Sequence, residues 1–297
     1  MKLVHTADRE GKLLSFLRRE LSMSSTLVKR LKFCEAYTVN GEIARTDHPI
    51  RPGDVICVTL DEPQPEYPAE EGELHILYED EAMIAVDKPA GMLVHPSAAR
   101  NTGTLANRLI AYYAKTGQKS AFHPVSRLDR DTFGVVLLAK NSHIHALLCE
   151  QARHGAIEKT YRAVVFGTPP ATEGIIDAPI ARLSETSLLR CIREDGKAAS
   201  SAYRVLDSDG TLSVLELRPL TGRTHQLRLH CAHIGCPIVG DPQYGSEESQ
   251  AFSLANGIEY QQLCAVSLCF QHPLTGKIVK IRSDFAVTLD FPHKEDI

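Results

Sequence analysis

The apolar positions of the first sixty residues change period twice. Leu13, Leu14, Phe16, Leu17 and Leu21 recur at helical spacing and predict an amphipathic helix over residues 12–22. A second helix follows with Ser24 or Ser25 as its cap. It turns Leu27, Val28 and Leu31 inward and leaves Lys29, Arg30 and Lys32 near its exposed face. The period then shortens. Tyr37 to Ile43 reads as strand, turn and strand, because Asn40-Gly41 tolerates the positive φ of a tight hairpin. Arg51-Pro52-Gly53-Asp54 is a second turn, leading into a strand from Val55 to Leu60.

Residues 61–73 carry no period. Three prolines and five glutamates with almost nothing to bury predict a semi-rigid, extended linker and a domain boundary. Beyond it, short apolar runs predict strands at 74–78, 83–87, 135–139 and 158–166. Helices are predicted after the caps Thr104 and Asn141, the latter helix stopped by Gly155. Residues 168–199 read only as hairpin-rich. The turn Pro219 to Gly222 launches a further helix with Leu227, Cys231 and Ile234 on one stripe and His225 and Arg228 on a neighbouring face. A strand and turn over 263–276 close the sheet.

Composition adds limits. The chain of 297 residues suffices for one large core and a small domain. No apolar stretch has the length to span a bilayer, and the first ten residues lack the apolar core of a secretory signal. The eight cysteines form no C-x-x-C pair and read as reduced, mostly buried thiols, so a cytoplasmic protein is expected. The formal net charge of −4 argues against a nucleic-acid partner only until it is divided. Residues 1–60 hold ten Lys/Arg against seven Asp/Glu, residues 61–81 hold nine acids and no base, and residues 82–297 hold 23 bases against 21 acids. One acidic segment sets the sign of the whole, whereas phosphate affinity follows local clusters of Lys and Arg. There is no Gly-rich phosphate loop, nucleotide fingerprint or G-x-S-x-G elbow. A reaction that needs neither an activated phosphate nor a redox cofactor is implied. The histidines at 225, 230 and 233 lack the spacing of a helical metal pair and have no acidic ligand between them.

The stretch from His123 to Lys140 sets Arg127, Asp129, Arg130 and Asp131 directly before Gly134 and an apolar run. A charged knot feeding a buried strand points to working groups at a sheet edge. Taken alone it could equally be a solvated, salt-bridged turn. The residues resemble the signature R-P-V-H-R-L-D-R-D-T-S-G of the RluA-type RNA pseudouridine synthases, matching at Pro124, Val125, Arg127 to Thr132 and Gly134 and departing at His123, Ser126 and Phe133. Lys88 to Pro96 resembles the family's K-P-x-G-x-x-V-H-P block. Glu158 to Phe166 resembles K-x-Y-x-A-x-V, matching from Lys159 to Val165. Thr221 to His230 resembles T-G-R-x-H-Q-[IL]-R-x-H, and Gly235 to Gly245 its G-x-P-I-x-G-D-x-x-Y-G tail. The N-terminal order of two helices, "V-N-G" and "R-P-G-D-V" resembles the alpha-L RNA-binding domain.

These resemblances imply an α+β fold, a mixed and mostly antiparallel sheet with flanking helices and a central cleft. They imply an RNA-binding domain over 1–60, a linker over 61–73 and a catalytic domain over 74–297. The implied activity is cofactor-free isomerisation of uridine in structured RNA to pseudouridine, after the base leaves its stack at a cost of a few kcal/mol. By resemblance, Asp129 is the essential carboxylate, Arg228 its partner and Tyr161 the residue that stacks on uracil. Arg127, Arg223, His225 and Thr132 contact substrate, and Lys29, Arg30 and Lys32 contact RNA. The K-P-x-G loop is expected beneath the catalytic centre. Ribosomal large-subunit RNA is the first expectation for substrate, transfer RNA the second, and the enzyme is expected to act as a monomer. Two rivals remain at this point, a catalytically silent RNA-binding assembly factor and a hydrolase using Asp129 and Asp131 as paired carboxylates.

Overall fold

The computed structural model describes residues 1–62, 67–97 and 100–289; the linker expectation for residues 63–66 lies outside them. The N-terminal segment contains Lys2–Thr6 (β1), Gly11–Lys12 (β2), Leu13–Arg19 (α1), Ser25–Lys32 (α2), Tyr37–Val39 (β3), Glu42–Ile43 (β4), Pro49–Ile50 (β5) and Val55–Thr59 (β6). Strands β1-β6-β3-β4 form an antiparallel sheet in that order. Leu13, Phe16, Leu17, Leu27, Val28 and Leu31 of the two helices share one core with Tyr37, Ile56 and Val58 of the sheet. The Tyr37 hydroxyl donates to the Val28 carbonyl at 2.8 Å, tying sheet to helix. Ser24 caps α2 by accepting from the Leu27 amide, and Asn40 and Gly41 take positive φ in the hairpin, as their chemistry dictates. The first helix is shorter than its apolar period. It ends at Arg19, and Ser22 turns the chain at φ +50°, leaving Leu21 beyond the helix.

The remaining elements are Ile76–Glu79 (β7), Met83–Lys88 (β8), Leu105–Lys115 (α3), His123–Pro124 (β9), Phe133–Ala139 (β10), Ser142–Arg153 (α4) and Glu158–Phe166 (β11). They continue as Glu173–Asp177 (β12), Ile180–Arg182 (β13), Arg190–Ile192 (β14), Ser200–Ser208 (β15), Leu212–Pro219 (β16), Gln226–His233 (α5), Glu247–Ala255 (α6), Leu263–Gln271 (β17) and Ile278–Arg282 (β18). A ten-stranded sheet runs β12-β15-β16-β11-β17-β10-β8-β7, with β9 on β10 and β18 on β17. The fold is α+β and mostly antiparallel; β10 and β17 make the parallel pair. Apolar clusters on both faces explain why β8 and β10 are buried along their whole length.

Gly134 makes that parallel pairing possible. It stands opposite Ala265 at φ +105°, and a Cβ there would meet the Ala265 carbonyl oxygen at 2.4 Å. The same Ala265 pairs on its other side with Tyr161, and the register shift after Thr160 leaves Val266 of β17 as the extra, bulged residue. Gly134, Ala265 and Tyr161 therefore form one row across the sheet.

The acidic segment departs from the expectation of a linker with nothing to bury. The Glu62 side chain is almost fully enclosed. It accepts from the amide and hydroxyl of Ser142 at 2.8 and 3.0 Å at the start of α4, and stands 3.3 Å from Nε2 of His123. Glu70 accepts from the Gly103 amide just ahead of α3. A carboxylate at a helix N-terminus meets unpaired amides and the positive end of the helix dipole. Glu62 is thus a helix cap supplied from far away in sequence, and Glu70 pins the residue ahead of the Thr104 cap. Gly134→Ala should lower stability by about 3 kcal/mol or more. Gly41→Ala, with nothing within 4 Å of the new methyl, should cost about 1 kcal/mol. Urea midpoints of the two variants test the comparison, and equal midpoints would contradict the close strand approach.

Candidate active site

The loop between β9 and β10 carries Asp129, with side-chain exposure of 32 %. Beneath it lies Lys88, the last residue of β8, which is wholly buried. Its Nζ donates to the carbonyls of Pro89 at 2.9 Å, Met92 at 2.8 Å and Arg130 at 2.9 Å. One amine thus joins the K-P-x-G loop to the loop of Asp129, placing the first block beneath the centre as expected. Burial pushes Lys88 down to about 7, against the opposing charges of Asp131 and Asp129.

Arg228 projects from α5 and is 5 % exposed. Its Nε and Nη2 donate to the two oxygens of Asp241 at 2.7 and 2.8 Å, and Nη2 also reaches Gln243 at 2.8 Å. The guanidinium is therefore clamped along one edge and offers Nη1 to Asp129 Oδ2 at 3.1 Å. Burial opposes its charge, but Asp241 and Asp129 overcome that and raise its pKa. Asp241 also accepts from the amides of Gln243 and Tyr244, so the turn after α5 is built around the same carboxylate.

Tyr161 is half-buried. Burial first and the charge of Asp129 second push its phenol well above the usual tyrosine range, so it stays protonated near neutral pH. His225 does not lie on the helix face that its spacing suggested. It is the residue before α5, in the left-handed region at φ +58°. Its Nε2 stands 3.9 Å from Asp129 Oδ2, and its Nδ1 is 2.7 Å from the Tyr244 hydroxyl. Gln226 folds its side chain back to accept from the Arg223 amide and the Thr221 hydroxyl, which closes the turn ahead of α5 with protein groups.

The other expected residues divide. Arg127 is exposed and makes no hydrogen bond or ion pair among the described residues, while its charge lowers the nearby His95 after burial has done so first. Arg223 is exposed and donates Nε to the Ala198 carbonyl at 3.0 Å, with no recorded contact to Asp129. Thr132 is buried and accepts from Gln261, which makes it a support of the loop rather than part of its open face. Asp131 is joined to Arg130 through two hydrogen bonds of 2.7 and 2.8 Å. Of the basic cluster on α2, Lys29 and Lys32 are exposed. Arg30 instead donates to Ser142 at 3.0 Å and lies 3.7 Å from Glu62. The departure Phe133 packs edge-on against Phe285 with ring centroids 5.4 Å apart, and His123 stacks on His145 at 5.5 Å.

The three histidines considered for a metal diverge: His230 is buried against Ser201 and the Ala178 carbonyl, whereas His225 faces Asp129. Among the described residues, one group with metal-ligand proximity is His75, Asp87 and Asp284, with ligand atoms within 4.8 Å. Asp87 there already accepts from Ser283 and the Asp284 amide. Two site residues were given no role from the sequence, Asp241 and Tyr244. Their signal was present only as matches in the G-D-x-x-Y-G tail, thirteen and sixteen positions beyond Arg228, where no helical or strand period links them.

Comparison with known proteins follows the same blocks. A family model described as RNA pseudouridylate synthase matches residues 82–233. An RNA pseudouridine synthase of Chloroflexus aurantiacus is 39% identical over 275 residues, covering 92% of this chain and 84% of that protein. The ribosomal large subunit pseudouridine synthase D of Pseudomonas aeruginosa is 36% identical over 254 residues, covering 83% and 79%. Among solved structures, human RNA pseudouridylate synthase domain containing 1 matches with a TM-score of 0.60 and 25% identity, over 73% of this chain and 86% of that one. With the signature blocks gathered around Asp129, these likenesses establish that the chain belongs to the RNA pseudouridylate synthase family, whose members are isomerases.

Proposed function

We propose that this enzyme converts uridines of ribosomal large-subunit RNA to pseudouridine, with Asp129 as the essential carboxylate. The observation that carries the reading is Asp129 held by the clamped Arg228, with Tyr161 packed on the apolar cluster that includes Leu128 of the same loop. Arg228 favours the ionised carboxylate and holds its orientation. Asp129 acts on an extruded uridine so that the bond from ribose to base nitrogen breaks, the base turns and the new bond forms at carbon 5. Nothing is added or lost. Tyr161 stacks on the uracil; the proton that leaves carbon 5 passes to solvent, and the released ring nitrogen takes one up in its place. Arg127, exposed and without a protein partner among the described residues, enters the gap left in the RNA stack.

The choice of ribosomal RNA is supported by the relatives named as large-subunit synthases; transfer RNA is the second reading. Residues 1–60 act as an alpha-L type RNA-binding domain joined through 61–73 to the catalytic domain 74–297, with Lys29 and Lys32 meeting phosphates. A monomeric cytoplasmic enzyme follows from the same reading. A hydrolase is disfavoured because the chain belongs to a family of isomerases. An inactive assembly factor has no need of a carboxylate held against a buried guanidinium.

Asp129→Asn should reduce tritium release from RNA labelled at uracil carbon 5 by at least about a thousandfold, with RNA affinity within about threefold. A large loss of affinity would make Asp129 a structural residue, and unchanged release would make the protein a binding factor. Comparing modified uridines in ribosomal and transfer RNA from cells with and without the gene decides the substrate. Lys29→Glu with Lys32→Glu should weaken RNA binding and flatten its salt dependence by about two log units per log unit of salt. An unchanged slope would remove the phosphate role. Asp241→Ala should cost about 3–5 kcal/mol of stability by leaving the buried Arg228 without its main partner, and a wild-type urea midpoint would contradict the clamp.

A further inference from the structure

The direction of hydrogen bonding around Tyr244 assigns a proton. The backbone amide of Arg190 can only donate, and it donates to the Tyr244 hydroxyl at 3.1 Å. The hydroxyl then has one proton of its own to give. Nδ1 of His225 lies 2.7 Å away, and no other acceptor is recorded for that proton among the described residues. An imidazole that is neutral and accepts at Nδ1 carries its hydrogen on Nε2. Nε2 is the atom that faces Asp129 Oδ2 at 3.9 Å.

The placement is tightly determined. His225 holds a left-handed backbone at φ +58°, a conformation that a non-glycine residue keeps only where its surroundings enforce it. Tyr244 in turn lies with its ring 4.9 Å from the Arg228 guanidinium, and its amide donates to Asp241 at 3.2 Å. Burial pushes the imidazole below its usual value. The Asp129 charge opposes this, Arg228 and Arg190 add to it, and Asp241 opposes it. The neutral ring is the form present near neutral pH.

We infer that His225, locked as the Nε2–H tautomer by Tyr244, is a positioning residue that gives Asp129 a second N–H donor on Oδ2 and leaves Oδ1 as the reacting oxygen. Arg228 Nη1 donates to that same Oδ2, so both donors converge on one oxygen of the carboxylate. The 3.9 Å separation shortens to a hydrogen bond when bound RNA excludes water from the site. The inference rests on the reading of Asp129 as the reacting carboxylate.

The test uses the full-length protein labelled with nitrogen-15 histidine. Long-range proton–nitrogen correlations of the unmodified chain should show Nδ1 bare and Nε2 protonated; the opposite tautomer would overturn the inference without any variant. Tyr244→Phe should give a mixture of tautomers and lower kcat about tenfold with KM within about twofold. His225→Gln, whose amide can return an N–H toward Asp129, should recover kcat to within about threefold of wild type. His225→Leu should not, and adding Tyr244→Phe to it should cost nothing more, since the two act as one unit. Wild-type kcat in His225→Leu beside an inactive Asp129→Asn would overturn the role of His225 alone. An active Asp129→Asn would instead overturn the reading beneath it.

Discussion

The arginine that holds Asp129 depends on a second carboxylate buried behind it. Arg228 is buried, and a buried guanidinium is tolerated only where its hydrogens find acceptors of good geometry. Asp241 supplies them along one edge, bidentate and itself buried. The edge that remains can point in one direction, toward Asp129. Because Asp241 also gathers the amides of Gln243 and Tyr244, the helix carrying Arg228 and the turn carrying Tyr244 are fixed by a single group. Orientation at Asp129 is therefore inherited from packing behind it.

A second layer acts from below. The Lys88 amine satisfies three carbonyls belonging to two loops, and the missing side chain of Gly134 lets the strand after the Asp129 loop press against β17. Both features bear on the short connection between β9 and β10. The loop is exposed at its tip yet rigid at its base, as a site needs if its geometry is to be ready before RNA arrives.

What could be read from the sequence follows the range of the forces involved. Ser24, Thr104 and Asn141 were recognisable as caps because a cap acts within three residues of itself. Buried runs such as Val135 to Ala139 declared their strand. Asp129, Tyr161 and Arg228 were legible as family blocks, and the structure brings them together. The left-handed turn at His225 was not legible, since the helical spacing around it continues through a position that the backbone leaves. Nor were Glu62 and Glu70, whose partners at Ser142 and Gly103 lie 80 and 33 residues away. Composition marked both acids as solvated, and only tertiary structure gives Glu62 a helix to cap and Glu70 a loop to pin.

Arg30 gives this arrangement a thermodynamic signature. Its guanidinium already holds Glu62 and Ser142 in the absence of RNA. A cation with an internal counter-charge has few dissolved ions to shed when a phosphate approaches, so its capture is an exchange of partners within the complex rather than a release into bulk solution. Two neighbouring positions on one helix, Lys29 and Arg30, thereby carry the same formal charge but different ionic-strength accounting. A nucleic acid that drew Arg30 to itself would take one ion-pair partner from Glu62, which the Ser142 amide and hydroxyl and His123 would still hold at the head of α4.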